Sequence, residues 1–481
     1  MTRATELVRG VGLRGAVAIN VITMVGIGPL ITIPLVLGAL HGPLSLIGWI
    51  AGALLALCDG LVWAELGSRF PGSGGTYAYL RETFGRHGAG RMLAFLFVWQ
   101  TIFSAPLLLA TGYIGFASYA GYLVPSLTTH PHEQQALAFA AGVLTIAALY
   151  RGIVSTARLG TVLFGIVLVT LLFVIVAAFA HFSPERAFAL AGATAGAATA
   201  SSGGFAAMFG PGLGAALGPD FAAGFGSALV IAMYDYAGYG QSSAIGGEVV
   251  APARTIPRSI VIAIALVATL YVLLQTGVLG ALPWQSLIPD KNGAVPALGQ
   301  YVGSVVVERS FGVVAAGTVT VLILITAFAS VYGNLLGFSR IPYAAAVDGV
   351  FLKPFAHVHE RLRFPDVSLL AIGILALPAC LFTLNDVINA LTAGMVLIQS
   401  IAQICAVFVL RARGDRAPYR MWLFPATALI ALGGWLYVFA GAGVAAIRYG
   451  VLTLLAGEIV FLVSASRQKS WPFAKRFEDV L

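Results

Sequence analysis

Hydrophobic residues in this 481-residue chain gather in long stretches, without the short amphipathic patterns of a soluble fold. A bilayer core about 30 Å thick requires about 20 apolar residues per crossing helix. Twelve stretches approach or exceed that length, and we number them segments 1 to 12. They run over approximately 15–39, 44–66, 92–122, 134–150, 159–181, 223–246, 259–282, 311–338, 367–384, 388–410, 421–441 and 446–465. The pattern predicts an all-α integral membrane protein with twelve transmembrane helices in a single domain over 1–481.

Charge placement gives this bundle an orientation. Only 10% of residues are charged, and mean hydropathy is +0.93, which excludes an ordinary soluble enzyme. The net charge of +8 would suggest nucleic acid as a partner of a soluble chain. Here 23 of the 27 Lys and Arg residues fall on one side of the twelve segments. Positive loops stay inside, so we expect cytoplasmic tails at 1–14 and 466–481, a lipid bilayer as the surroundings, and no nucleic-acid partner.

Two long connections on the opposite side are unusual. Residues 182–222 are rich in Ala, Gly and Ser, which predicts a loosely structured extracellular segment. Residues 283–310 carry Trp284 in an amphipathic pattern, which predicts a segment lying along the membrane surface. The three cysteines lie in apolar stretches without metal-ligand spacing, so we expect no disulfide framework, metal site or cofactor.

Segments 1 and 6 are interrupted near their middles. Residues 25–29 read Val-Gly-Ile-Gly-Pro, and residues 236–241 read Tyr-Ala-Gly-Tyr-Gly-Gln. Gly and Pro destabilise a continuous helix, and freed backbone groups in a bilayer need a cavity or a ligand. Two breaks five segments apart favour a 5+5 inverted repeat with a binding site at its interface, followed by two C-terminal helices. The alternative is two kinks in ordinary packed helices.

Three motifs carry a resemblance to a known family. After segment 6 stands E-x-x-x-P-x-R-x-x-P, formed by Glu248, Pro252, Arg254 and Pro257. The other two are Ala64-Glu65-Leu66-Gly67 with Pro71 to Tyr77 and Phe84-Gly85, and Ser339-Arg340 with Tyr343-Ala344 and Asp348-Gly349. In this order the motifs resemble those of the amino acid–polyamine–organocation (APC) transporters over nearly the whole chain. The resemblance implies an inverted-repeat permease with a substrate site at the two breaks.

The break in segment 1 is the predicted carboxylate site. Backbone N–H groups at the start of a half-helix favour an anion, so Gly26, Ile27 and Gly28 are candidate substrate-binding residues. The resemblance implies the same role, since family members bind an amino acid carboxylate through Gly-Ser/Thr-Gly at this point. This chain has Ile27 in place of the hydroxyl residue, and Pro29 removes one donor.

The break in segment 6 is the predicted amine site. Its first half-helix ends in carbonyl groups that suit an ammonium group, with Asp235, Tyr236, Gly238 and Tyr239 as the candidate binding residues. A mid-membrane aspartate needs a partner, a cavity or a proton; the alternative is that Asp235 only shapes the break. The resemblance gives Tyr239 a gating role, whereas Tyr234 is interpreted as packing.

Gating and coupling residues complete the candidate site. Glu65 and Arg340, with Arg254 and Asp348, form a predicted inner gate of ion pairs; the alternative is that these charges serve solubility and topology. Candidate cation-coupling residues are Asp235, Asp59 and Ser330. Segment 5 has Val167 where several sodium-independent relatives carry lysine. Coupling to Na+, coupling to H+ and uncoupled exchange all stay open.

The sequence therefore predicts a permease of the cell membrane that carries amino acids or related organic amines by alternating access. Its small-molecule substrate would be an amino acid or amine. Alternatives are a polyamine or organocation transporter, and a membrane amino-acid sensor or subunit that does not transport. No catalytic motif for an intramembrane enzyme stands out, so we expect no enzymatic activity.

Orientation is testable with reporter fusions placed after Arg86 and after Arg467. Both fusions should report a cytoplasmic location, because both positions follow positively charged segments on the predicted inner side. Either fusion appearing outside would overturn the assigned orientation.

Overall fold

The computed structural model of the chain describes residues 9–72, 74–150, 156–188, 219–290, 295–360, 364–467 and 471–473. These residues form helices and connecting loops, with one isolated β-bridge between Val11 and Val249. The predicted loose segment 182–222 lies outside the described residues over 189–218. The all-helical prediction is confirmed for the described part of the chain.

Helices coincide with all twelve predicted segments. In the described residues the principal ones are Leu13–Met24, Gly28–Leu40, Ser45–Arg69, Ala89–Ala120, Pro131–Tyr150, Thr156–Ala180, Pro219–Tyr236, Pro252–Ala281, Val313–Phe338, Asp366–Ala379, Leu384–Met395, Gln403–Ala412, Ala426–Gly441 and Val444–Arg467. Shorter helices include Thr76–Phe84, Gln241–Ala244, Val302–Phe311 and Arg340–Val347. Within the described residues, seven helices are long and apolar enough to cross a membrane, or eight spans if a bent pair in segment 1 counts as one. The chain is a multi-pass membrane protein, while twelve crossings stay a prediction.

The lipid-facing surface explains why so many apolar side chains lie outside the core. Val314, Leu144 and Ile459 are 86%, 59% and 62% exposed, respectively, on helices whose other faces are packed. A soluble monomer rarely exposes so much apolar surface, whereas a bilayer covers it.

Small residues let segment 2 pack closely against segments 6 and 7. A Cβ added to Gly52 would lie 2.7 Å from the Cβ of Ala232, and one added to Gly60 would lie 2.5 Å from Cδ1 of Ile264. Trp49 also donates its indole N–H to Gln275 over 3.1 Å. Close approach and a buried hydrogen bond are the usual stabilising contacts between membrane helices, and they fix the scaffold around segment 6.

The prediction for Trp284 is wrong. Its side chain is 6% exposed and packs against Gly42 and the ring of His41, with ring centroids 6.2 Å apart. The helix Val302–Phe311 that follows is buried over its first six residues, 302–307. This connection therefore packs onto the protein.

Candidate functional site

The chain unwinds in the middle of segment 1. One helix ends at Met24, the next begins at Gly28, and their axes differ by 48°. Within the described residues, the backbone N–H groups of Gly26, Ile27 and Gly28 have no hydrogen-bond partner. Pro29 occupies the first turn of the outer half-helix, where a missing N–H costs nothing. The break therefore presents free donors at a helix N-terminus, as predicted.

Segment 6 unwinds beside it. Its helix ends at Tyr236, and Gly238 has a φ of +120°, which strongly favours glycine. A Cβ on Gly238 would also lie 2.8 Å from the carbonyl carbon of Thr23. Thr23 donates its hydroxyl to the Gly238 carbonyl over 3.1 Å. The two breaks are in direct contact, and only glycine permits that approach.

Tyr271 of segment 7 connects the ends of both broken helices. Its hydroxyl oxygen lies 2.9 Å from the carbonyl oxygen of Met24 and 3.2 Å from that of Asp235, so its proton serves two carbonyls that the breaks leave without helical partners. The ring is fully buried against Trp49 and Tyr236. Sequence reasoning missed Tyr271, since nothing in segment 7 distinguishes it from an ordinary packing tyrosine.

A cavity lies between the breaks, and we call it the central cavity. Gly26, Ile27 and Gly28 line it, as do Asp235 and Ser330. The other lining residues are Thr23, Met24, Leu108, Thr111, Gly112, Tyr234, Ala237, Ala327, Val331 and Asn334. The structure thus brings together the predicted carboxylate site, the aspartate and the candidate coupling serine.

Only one of the two carboxylate oxygens of Asp235 accepts a hydrogen bond from the described residues. Its Oδ2 accepts a 2.6 Å hydrogen bond from Thr32 in the outer half of segment 1. Its Oδ1 has no partner among the described residues and lies where a side chain at Gly28 would project. A buried carboxylate with one free oxygen is poised for a donor from elsewhere, and Thr32 was not recognised from the sequence.

A second, larger cavity lies next to the first, and we call it the inner cavity. Both cavities are lined by Leu108, Tyr234, Ala237 and Asn334, so they meet there. The inner cavity extends to residues 74–76 after segment 2 and to Ile341 after segment 8, on the side where positive loops predict the cytoplasm.

The tyrosines around the break face different ways. Tyr234 lines both cavities and also donates to Thr111 of segment 3 over 2.8 Å, so it combines a cavity-facing position with a contact between helices. Tyr236 lines neither cavity; it is fully buried and donates to the Trp49 carbonyl over 3.3 Å, which corrects its assignment to the substrate site. Residues two apart on a helix point in nearly opposite directions.

Tyr239 and Asp59 meet at the inner cavity. Tyr239 donates its hydroxyl to Oδ2 of Asp59 over 2.6 Å, and both residues line the cavity. This hydrogen bond fixes the position of the Tyr239 ring, which the sequence predicts to be a gate. It also places a second aspartate of the membrane-spanning helices at the inner cavity.

The expected Glu65–Arg340 ion pair is absent from the described residues. Glu65 instead binds Arg411 in bidentate geometry, at 2.8 and 2.6 Å, and accepts the N–H of Met421 over 2.8 Å. Arg340 donates to the carbonyl of Leu336 at the end of the preceding helix. The correction follows from packing: Arg411 at the end of segment 10 lies against Glu65 and matches a carboxylate with two parallel donors.

Asp348 is also paired differently from the expected gate. It contacts Arg81 and accepts a 3.0 Å hydrogen bond from Tyr77. Burial, with the nearby Asp348 charge, raises the pKa of Tyr77, so its hydroxyl stays a donor at neutral pH. Both of these ion pairs thus join residues that lie far apart in sequence.

A membrane-length helical bundle with two unwound segments around a buried polar cavity defines a membrane transport protein. The amino acid permease family model matches residues 12–454. The serine/threonine exchanger SteT of Bacillus subtilis (strain 168) is 25% identical over 450 residues, which cover 91% of this chain and 92% of that protein. The chain belongs to the amino acid permease family of the APC superfamily.

Other relatives differ in their named substrates. Human cationic amino acid transporter 4 is 26% identical over 444 residues, which cover 87% of this chain and 62% of the longer human protein. The aspartate-proton symporter of Bacillus subtilis (strain 168) is 26% identical over 382 residues, which cover 76% of this chain and 66% of the relative. The family is therefore established, and the relatives span neutral, cationic and acidic amino acids by name.

Gly28→Val should abolish ligand binding while the protein still inserts and folds. A branched side chain would meet Asp235 and crowd the free N–H groups of the break. Thermal unfolding of the purified variant with added amino acids measures binding as a rise in apparent stability. Gly165→Val in segment 5 is the matched control, because nothing lies within 4 Å of a Cβ there. Normal ligand stabilisation of Gly28→Val would show that the break is only a kink.

Proposed function

We propose that this protein is a secondary transporter that carries amino acids across the cell membrane by alternating access. Twelve membrane crossings, with both termini cytoplasmic, would form one transporter domain over 1–481. Segments 1–5 and 6–10 would be the two inverted repeats. The coincidence of helices with all twelve segments and the paired breaks in segments 1 and 6 support this architecture.

One observation carries the substrate assignment. The central cavity contains unpaired N–H donors at residues 26–28 and an unpaired carboxylate oxygen on Asp235. An amino acid has a carboxylate and an ammonium group that would satisfy both sets. A substrate carrying only amines would leave the N–H groups without partners, which favours an amino acid over a polyamine.

The two cavities support a conformation open towards the predicted cytoplasm. The opposite end is closed where Tyr119 lies 3.3 Å from the Leu30 carbonyl oxygen and Tyr122 donates to Glu308 over 2.8 Å. Alternating access requires such an arrangement, with one route open while the other is packed. Movement of the outer half of segment 1 would reopen the closed side, since Leu30 belongs to that half-helix.

Asp235→Asn should weaken binding of amino acids by about tenfold. Opposite charges at about 4 Å attract by about 4 kcal/mol at an effective dielectric near 20, before desolvation is subtracted, leaving a net loss of about 1 to 2 kcal/mol. Binding can be measured by thermal shift and transport by uptake into proteoliposomes at several pH values. If Asp235 also carries the coupling proton, Asp235→Asn flattens the pH dependence of uptake.

Thr32→Val is the matched control for this experiment. It removes the 2.6 Å hydrogen bond to Asp235 but retains the carboxylate charge, so it should weaken binding less than Asp235→Asn. Unchanged affinity together with an unchanged pH profile in folded Asp235→Asn would leave the aspartate with a structural role. Uptake driven by a sodium gradient at constant pH would assign the coupling to sodium.

A further inference from the structure

Asp59 is a buried carboxylate that the central cavity does not use. It lies in segment 2, is 1% exposed, and lines the inner cavity. Its Oδ2 accepts the hydroxyl of Tyr239, but its Oδ1 has no hydrogen-bond partner in the described part of the chain. Buried polar atoms are rarely left without partners, so the free oxygen indicates a ligand.

The described lining of the inner cavity carries a negative charge and no positive charge. Among the described residues that line it, Asp59 alone is charged; the rest are apolar, aromatic or uncharged polar residues. A single carboxylate in a low-dielectric space attracts a cation and repels a substrate carboxylate. The charge of this cavity therefore selects for amines.

Aromatic rings make this carboxylate suitable for an organic cation. Trp63, Tyr239 and Trp435 line the same cavity, and the indole N–H groups of Trp63 and Trp435 lie near Asp59. Aromatic faces attract ammonium groups by cation–π interaction. A metal cation without its hydration shell would instead require several oxygen ligands. The free Oδ1 of Asp59 supplies one oxygen, and the aromatic residues near it carry indole and phenol rings.

We propose that Asp59, with Trp63 and Trp435, forms a second, amine-selective subsite in the inner cavity. It binds the ammonium group of a small organic amine between the central cavity and the inner face. The subsite lies away from the segment 1 break and recognises only the cationic group. The proposal therefore goes beyond the proposed transport function and does not depend on binding at residues 26–28.

Titration with propylammonium chloride tests this subsite on the full-length protein in nanodiscs. The probe has no carboxylate for the segment 1 break, and the fluorescence of Trp63 and Trp435 should change saturably when it binds. Asp59→Asn should raise the apparent dissociation constant at least tenfold, because asparagine retains an acceptor for Tyr239 but loses the charge. Trp435→Leu, which retains the charge, should raise it about threefold to tenfold through loss of a cation–π contact.

The controls separate this subsite from the central one. Asp386→Asn neutralises an exposed carboxylate in the first turn of the helix Leu384–Met395 and should leave the titration unchanged. Asp235→Asn removes the carboxylate of the central cavity, so a saturable response that persists in this variant reports the inner-cavity subsite alone, and failure of the two sites is distinguishable. Unchanged affinity in both Asp59→Asn and Trp435→Leu would overturn the proposal. So would loss of binding in Asp235→Asn alone, or an equal saturable response to sodium chloride.

Discussion

The structure depends on one constraint: two helices are interrupted inside a bilayer, where unpaired backbone groups are expensive. The chain meets that constraint by placing the interruptions against each other. Thr23 bonds to Gly238, Asn20 and Ser242 exchange hydrogen bonds, and Tyr271 contacts the carbonyls at both helix ends. The remaining donors at residues 26–28 line the central cavity, and these unpaired groups are the ones that we propose bind the substrate.

Two buried aspartates line the two cavities, Asp235 the central cavity and Asp59 the inner cavity. Asp235 is attached to the outer half of segment 1 through Thr32, while Asp59 is attached to the break of segment 6 through Tyr239. Each retains one oxygen without a partner in the described residues. In the proposed mechanism, a ligand bound to the free oxygen would share its carboxylate with a half-helix held by the other oxygen. Binding and conformational change would then be linked through these two carboxylates.

Sequence reasoning succeeded where the signal is local. Apolar length identified the helical segments, and Gly-rich interruptions identified both breaks, because backbone unwinding follows from residues adjacent in the chain. It failed where the outcome depends on tertiary packing. The partner of Glu65 is Arg411, 346 positions away, and neither Thr32 nor Tyr271 carries a local sign of its role. Which of Tyr234 and Tyr236 faces the cavities depends on the rotation of segment 6 about its axis, which the sequence does not specify.

The most direct test of the account is whether ligand recognition at the central cavity requires both ends of an amino acid. Thermal unfolding of the purified protein would be measured with L-serine, L-arginine and L-aspartate, each compared with its α-carboxyl methyl ester. The account predicts that at least one free amino acid raises the unfolding temperature and that its ester, which lacks the α-carboxylate, does so far less. Equal stabilisation by the amino acid and its ester would contradict a carboxylate site at residues 26–28.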